Sequence, residues 1–170
     1  MLIIVESPAK AKTIAKLVGS KYIVKASVGH IRSISNDKKK EDGSNYEING
    51  IDVDNNYEPK FEVDAGKKTV VAELKKLAKT SGEILFATDF DREGESISWH
   101  LSEVLGIKDK SKIKRLEFHE ITKKAIEEAL NNPKPLRTGM VEAQKARQVL
   151  DKLVGYKVSP MLWKILIKNN

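Results

Sequence analysis

Two rhythms of hydrophobic positions run through this chain. Leu2-Ile3-Ile4-Val5 and Ile84-Leu85-Phe86-Ala87 are short unbroken apolar runs, the pattern of strands covered on both faces in a parallel sheet. Tyr22 to Ser27 reads as another strand, and a short one is expected near Lys114 to Phe118. Between them the period changes to that of a helix. From Lys67 to Lys79 the apolar residues Val70, Val71, Leu74, Leu77 and Ala78 recur at helical spacing. Ser7 as N-cap and Pro8 as first residue open a helix that runs through Leu17 and that Gly19 closes. Two more helices are expected, roughly Glu95 to Leu105 and, capped by Thr122, up to about Leu130. Buried strands alternating with amphipathic helices predict a doubly wound α/β unit with a parallel sheet.

Two stretches break the alternation. Residues 36–60, rich in Asn, Asp, Lys and Gly without sustained period, read as a surface loop or hairpin insertion with no chemistry of its own. Asn131-Asn132-Pro133-Lys134-Pro135 cannot continue a helix, which places a domain boundary there: residues 1–133 form one domain and 134–170 begin another. In the second, Ala146, Val149, Leu150, Leu153 and Val154 make one apolar stripe on a helix that Gly155 is expected to end. Ser159-Pro160 opens a further helix. Its residues Met161, Leu162, Trp163, Ile165, Leu166 and Ile167 form an apolar end with little left to bury it, as in a truncated chain, with Trp163 expected in a core.

Composition narrows the chemistry. At 170 residues there is room for one ordinary domain, or one domain and the start of another. No cysteine occurs, which excludes disulfides, zinc ribbons, iron–sulfur clusters and thiol catalysis, so any metal must take oxygen or imidazole ligands. No apolar run approaches a membrane span, and Met1 leads directly into a strand rather than a signal peptide; a cytoplasmic protein without a membrane partner is expected. The net charge of +7 is uneven, with 16 Lys/Arg against 17 Asp/Glu in residues 1–107 and 15 against 7 in residues 108–170. A basic segment beside a neutral one suits a polyanion such as nucleic acid, although a solvated lysine-rich surface has the same composition.

The segment ATDFDREGESISWHL sets Asp89, Asp91 and Glu93 at alternate positions directly after a buried strand. In an extended chain all three carboxylates face one side. Two carboxylates 4 Å apart repel by about 4 kcal/mol at an effective dielectric constant of about 20, so a cation is the expected remedy. Oxygen ligands at an open strand end suit Mg²⁺. Ligands of α/β sheets bind beyond the carboxyl ends of the strands, which brings Glu6, at the end of the first strand, to the same cluster. Lys10 lies in the first turn of the following helix, where free N–H groups favour a phosphate. Gly94 allows close backbone approach, and Arg92 is placed to clamp a phosphate. A bare D-x-D-x-E is more often a charged turn, but a strand-ending acid followed by Ser-Pro-Ala-Lys makes the combination far more specific.

These words resemble a family. VESPAKAKTI at Val5 to Ile14, SVGHIR at Ser27 to Arg32, ATDFDREGESISWHL, FHEIT at Phe118 to Thr122 and QKARQVLDKLVGYKVSP at Gln144 to Pro160 are similar, in order, to motifs of bacterial type IA DNA topoisomerases. The resemblance implies a Toprim parallel sheet flanked by helices, followed by a short helical segment of a second, DNA-groove domain. It implies that Asp89, Asp91 and Glu93 hold Mg²⁺ beside Glu6, a general acid/base next to the scissile phosphate, and that Lys10 stabilises the phosphate's charge. His30 resembles a histidine near the active site, and Arg147, Asp151 and Tyr156 resemble residues lining a groove for single-stranded DNA. On spacing alone, Arg147 and Asp151 are an exposed pair one turn apart, worth under about 1 kcal/mol. The implied activity is relaxation of negatively supercoiled DNA by transient single-strand cleavage and rejoining, with the remaining domains of the same enzyme as partners.

Departures from the pattern are also visible. Phe90 stands where the family commonly has proline, Gln148 and Lys152 where it tends to have arginine, and Glu142 where asparagine is usual. The segment resembling the nucleophilic tyrosine, a residue, then Arg-Thr-Asp-Ser does not occur, so this chain alone is expected not to cleave DNA. Two rivals share parts of the pattern: a stand-alone Toprim nuclease or primase fragment, and a non-catalytic DNA-binding module.

Overall fold

The computed structural model describes residues 1–107 and 109–168, with side chains through residue 166. By compactness the chain divides into one unit of residues 1–32 and 63–141 and a second of residues 33–62 and 142–170.

The first unit is a four-stranded parallel sheet in the order β2-β1-β7-β8, built from β1 (Leu2–Val5), β2 (Ile23–Ala26), β7 (Ile84–Phe86) and β8 (Ile113–Arg115). The unbroken apolar runs are explained by cover on both faces. Leu2, Ile4, Ile84, Phe86 and Ile113 pack with Val71, Leu74 and Ala78 of α2 (Lys68–Thr80) and Ile97, Leu101 and Leu105 of α3 (Arg92–Leu105). The alternate residues Ile3, Val5, Leu85 and Ala87 pack with Ile14 of α1 (Pro8–Val18) and Ile126 and Ala129 of α4 (Lys123–Asn131). This is a helix–sheet–helix sandwich with two cores, one per face.

The expected caps are present: the Ser7 Oγ accepts from the Lys10 N–H at 3.3 Å and the Thr122 Oγ1 from the Ala125 N–H at 3.3 Å. The Asn131–Pro135 break leaves α4 and pairs with the outer edge of β8. Lys134 and Arg115 exchange both backbone hydrogen bonds, at 2.7 and 2.9 Å, which covers part of an otherwise open strand edge.

Residues 36–60, expected as a loop or hairpin without period, hold a short antiparallel hairpin of β4 (Ile51–Asp52) and β5 (Glu58–Pro59). In the second unit Ile48 and Ile51 are buried with Val149, flanked by Ile34, Val53 and Leu153, so the insertion shares a small core with the segment after residue 142. The two remaining strands, β3 (Arg32–Ile34) and β6 (Phe61–Val63), form the ribbon through which the chain leaves and re-enters the first unit. The Lys152 ammonium donates to the carbonyl of Ser35 at 2.7 Å, and its burial, opposed by Glu62, pushes it below the ordinary lysine value.

Two expectations about the end of the chain are corrected. Gly155 does not terminate the helix: α5 (Thr138–Leu153) passes through a π-helical turn at residues 154–158 into α6 (Ser159–Lys168). Ending a helix at a glycine relies on the left-handed conformation, and Gly155 is not among the residues of positive φ. Trp163 is not in a core but 65 % exposed, on a helix whose Met161, Leu162, Ile165 and Leu166 are exposed with it. The Ile167 side chain lies outside the described residues. Among the described residues, no helix is long and apolar enough to cross a membrane.

Candidate metal and phosphate site

Strand order creates the site. From β1 the chain crosses through α1 to β2 on one side, while β7 leads through α3 to β8 on the other, so the carboxyl ends of β1 and β7 flank the topological switch point. Glu6 follows β1, and Asp89 lies just beyond β7. Lys10, in the first turn of α1, reaches across and places its ammonium between the Glu6 Oε1 and the Asp89 Oδ1. Burial works against the charge on Lys10, but the hydrogen bonds and charges of Asp89 and Glu6 outweigh it and hold the ammonium above the usual lysine value.

The other two acids have different partners. Asp91 is the N-cap of α3, in extended conformation (φ −144°, ψ 178°), and its Oδ1 accepts from the Gly94 N–H at 2.7 Å. Glu93 is already inside the helix, with its Oε1 3.0 Å from the His30 Nε2. The helix thus starts at Arg92, three residues before the expected Glu95, because the Asp91 cap and acidic residues in the first turn favour it there. This corrects the picture of three carboxylates alternating along an extended chain: only Asp89 and Asp91 precede the helix.

Among the described residues, no three Asp, Glu or His side chains stand together as a metal-ligand group. The repulsion among the acids is relieved inside the chain, by the Lys10 ammonium, by the Gly94 amide and by His30. The donor set nevertheless fits a hard divalent ion. It consists of oxygens, two of its carboxylates are about 60 % exposed at Asp89 and Glu93, and the Glu6 Oε2 is a buried oxygen without a hydrogen-bond partner.

His30 is delivered by a strained turn. The Ser27 N–H donates to the Val5 carbonyl at 2.8 Å and the Gly29 N–H to the Glu6 carbonyl at 2.7 Å, which wraps the turn around the residue that ends β1. Val28 and Gly29 take φ of 61° and 81° in succession. The valine is a β-branched residue in the left-handed region, at a cost of about 1–2 kcal/mol.

Beneath the acids lies a group that spacing did not single out. The fully buried Arg115 of β8 donates through Nε to the Glu95 Oε2 at 2.9 Å, and Glu95 is itself only 2 % exposed. Its Nη1 donates to the Phe86 carbonyl at 2.9 Å and the Thr88 Oγ1 at 2.7 Å, and its Nη2 to the carbonyls of Thr88 at 3.3 Å and Asp89 at 3.1 Å. Every N–H of the guanidinium is used. The Thr88 Oγ1 donates in turn to the Gly94 carbonyl at 2.6 Å and lies 2.9 Å from the Ser98 Oγ. Gly94 is needed for this fit, since a Cβ there would stand 2.1 Å from the Asp89 carbonyl oxygen. The available signals were weak: Arg115 lies at the same parity as Ile113 on β8, and Glu95 falls on the buried stripe of α3.

Arg92 is exposed at the start of α3. In the second unit, the Arg147 Nε lies 3.8 Å from the Asp151 Oδ2, both exposed on α5, and the Lys152 Nζ lies 6.0 Å from the ring centroid of Tyr156, which is 43 % exposed.

The model of the Toprim domain matches residues 1–121. The chain belongs to the Toprim family. It is 51 % identical over 167 residues to DNA topoisomerase 1 of Streptomyces coelicolor, a match covering 96 % of this chain and 17 % of that protein. It is also similar to the solved full-length topoisomerase I of Thermotoga maritima, with a TM-score of 0.81 and 45 % identity over 96 % of this chain and 26 % of that one. The chain spans about a sixth to a quarter of the length of these relatives. The four-stranded parallel sheet flanked by helices is the Toprim fold, and its switch point carries the acids described above.

Replacing Arg115 by Met takes the counter-charge from the buried Glu95 carboxylate and the guanidinium donors from the Thr88 and Asp89 carbonyls of the Toprim unit, while the Phe86 carbonyl keeps the Leu116 N–H. The variant is expected to lose about 3–5 kcal/mol of stability in urea unfolding. A loss under about 1 kcal/mol would show that the clamp does not hold the acidic turn.

Proposed function

We propose that the chain is the metal-binding Toprim part of a type IA DNA topoisomerase, which relaxes negatively supercoiled DNA by transient cleavage and rejoining of one strand. The observation that carries this reading is the meeting of Glu6 and Asp89, from two distant stretches, on the ammonium of Lys10 at the switch point of the sheet. Asp89, Asp91 and Glu93, with Glu6 beside them, are the residues that would hold Mg²⁺. When bound, the ion supplies charge for orienting a DNA phosphate during rejoining. Residues 1–133 are read as the Toprim domain and residues 134–170 as the start of a groove domain, in which Arg147, Asp151 and Tyr156 contact single-stranded DNA.

The chain's own residues divide the remaining work. Lys10 neutralises Glu6 and Asp89 and is the ammonium placed to meet a phosphate oxygen at the α1 N-terminus. Arg92, exposed in the first turn of α3, offers a second cation to that phosphate. The Glu6 Oε2, buried without a partner, is the atom that takes the proton of the attacking tyrosine hydroxyl and passes it to the departing deoxyribose oxygen at cleavage, and returns it by the reverse path at rejoining. His30 sets the Glu93 carboxylate. The tyrosine that attacks the phosphate belongs to a segment that this chain does not contain.

The direct test joins the chain to the downstream domains of a relative and assays Mg²⁺-dependent relaxation of negatively supercoiled DNA. Relaxation that vanishes on changing Glu6 to Gln supports the reading, and failure with folded pieces sinks it. Hydrolysis of single-stranded DNA by the chain alone would favour the nuclease alternative instead.

Two calorimetric predictions follow from the site. Asn caps helices as well as Asp does, so Asp91→Asn keeps the helix start while removing a charge. It is expected to retain the parent's thermal midpoint and lose roughly tenfold or more in Mg²⁺ affinity; equal affinity would remove Asp91 from the ligand set. Lys10→Met takes away the ammonium that competes for the same carboxylates. It is expected to bind Mg²⁺ several-fold more tightly and single-stranded DNA more weakly, and a drop in Mg²⁺ affinity would contradict the role given to Lys10.

A further inference from the structure

We propose that Phe90, with His119 and Arg137 set against it, is a stacking platform for one unpaired base of single-stranded DNA at the rim of the acidic turn. The inference rests on the DNA reading above and adds a base-contacting subsite to it.

Phe90 sits between Asp89 and Asp91, where a charged turn needs no aromatic ring, and it is 38 % exposed. The ring is not loose. His119 meets it edge to face at 5.1 Å between centroids and 78° between planes, and the Arg137 guanidinium carbon lies 4.5 Å from its centroid. Arg137 is itself held at both ends. Its backbone N–H donates to the buried Glu95 Oε1 at 2.6 Å, and its Nη2 donates to the Glu117 Oε2 at 2.9 Å. The same Glu95 that anchors Arg115 beneath the acids therefore also anchors this platform. The guanidinium is thus held against the ring before any ligand arrives, which reduces the entropy lost when a base stacks there.

The charges around the ring choose the ligand. Carboxylates on either side of Phe90 disfavour a phosphate lying on the ring itself, whereas a nucleobase is neutral and has a π face. Arg137, 45 % exposed, and the exposed His119 offer donors for the base edge or a flanking phosphate. An unpaired base answers this combination, and a base within an intact duplex cannot reach it.

The test uses the 170-residue chain and a short single-stranded oligodeoxynucleotide in which 2-aminopurine, or an abasic nucleotide, is moved through successive positions. Parent, Phe90→Leu and Phe90→Trp are compared by fluorescence anisotropy and 2-aminopurine emission, after circular dichroism shows the same fold. At one position the parent should quench 2-aminopurine. Phe90→Leu should lose that quenching and roughly tenfold in affinity, while Phe90→Trp retains both. An abasic nucleotide at that position should erase the difference between parent and Phe90→Leu. If the parent binds DNA but Phe90→Leu binds equally well, or the difference survives the abasic nucleotide, the stacking platform is overturned and the functional reading stands. If the parent binds no single-stranded DNA, the functional reading falls and this inference with it.

Discussion

Everything at the switch point hangs on one guanidinium. The turn beyond β7 presents carboxylates to solvent while its own carbonyls, at Thr88 and Asp89, turn inward to the buried Arg115. Unpaired carbonyls there would each cost roughly 1–3 kcal/mol. Arg115 answers all of them at once, with Glu95 as its counter-charge. A buried ion pair of this kind is weak evidence for stability, because apolar residues of the same volume often do as well. What apolar residues cannot do is specify where the turn's carbonyls lie. The pair therefore acts mainly by position, fixing the height of the acidic turn above the sheet. Gly94 completes the fit, since only a residue without Cβ lets the first turn of α3 approach the Asp89 carbonyl.

Strand parity explains why the clamp reaches the right face. Ile113 and Arg115 are two residues apart on β8, so both point toward the α2/α3 side of the sheet, and Glu95 lies among the buried residues of α3. Arg115 also shares its two backbone hydrogen bonds with Lys134, on the far edge of the strand. One residue thus ties the edge segment after α4, the outer strand, the acidic turn and the α3 N-terminus into a single frame.

Much of this was legible in the residues. Unbroken apolar runs are interpretable because a strand covered on both faces leaves no position for a polar side chain, and Ser7, Thr122 and Gly94 were legible because caps and close approaches demand particular residue types. The Arg115–Glu95 pair was not, because a charged residue signals a surface position until its partner is known, and that partner is distant in sequence. The start of α3 was misjudged for a related reason: carboxylates at alternate positions look like an extended run, yet an aspartate followed by acids is equally a helix N-terminus. Trp163 and Gly155 show the limit of local rules. An apolar stripe predicts burial only if something packs on it, and a glycine ends a helix only where the chain turns left-handed.

Four carboxylates near one sheet edge would repel strongly if each stood alone, but each has a different remedy: Glu6 and Asp89 share an ammonium, Asp91 faces a helix-terminal amide, and Glu93 faces an imidazole. These remedies differ in how easily they yield. The Gly94 amide is part of the backbone and stays, so Asp91 keeps one oxygen committed whatever binds. The Lys10 ammonium sits on a flexible side chain and can leave both acids together without breaking any element of the fold. Swung away from the acids, its charge would still stand at the N-terminus of α1, where backbone N–H groups already favour a phosphate, and Glu6 and Asp89 would be left as oxygen donors suited to a hard cation. The acids and the phosphate-favouring end of α1 are thus linked by a single movable side chain, while the Arg115 clamp holds the backbone of the acidic turn that carries Asp89.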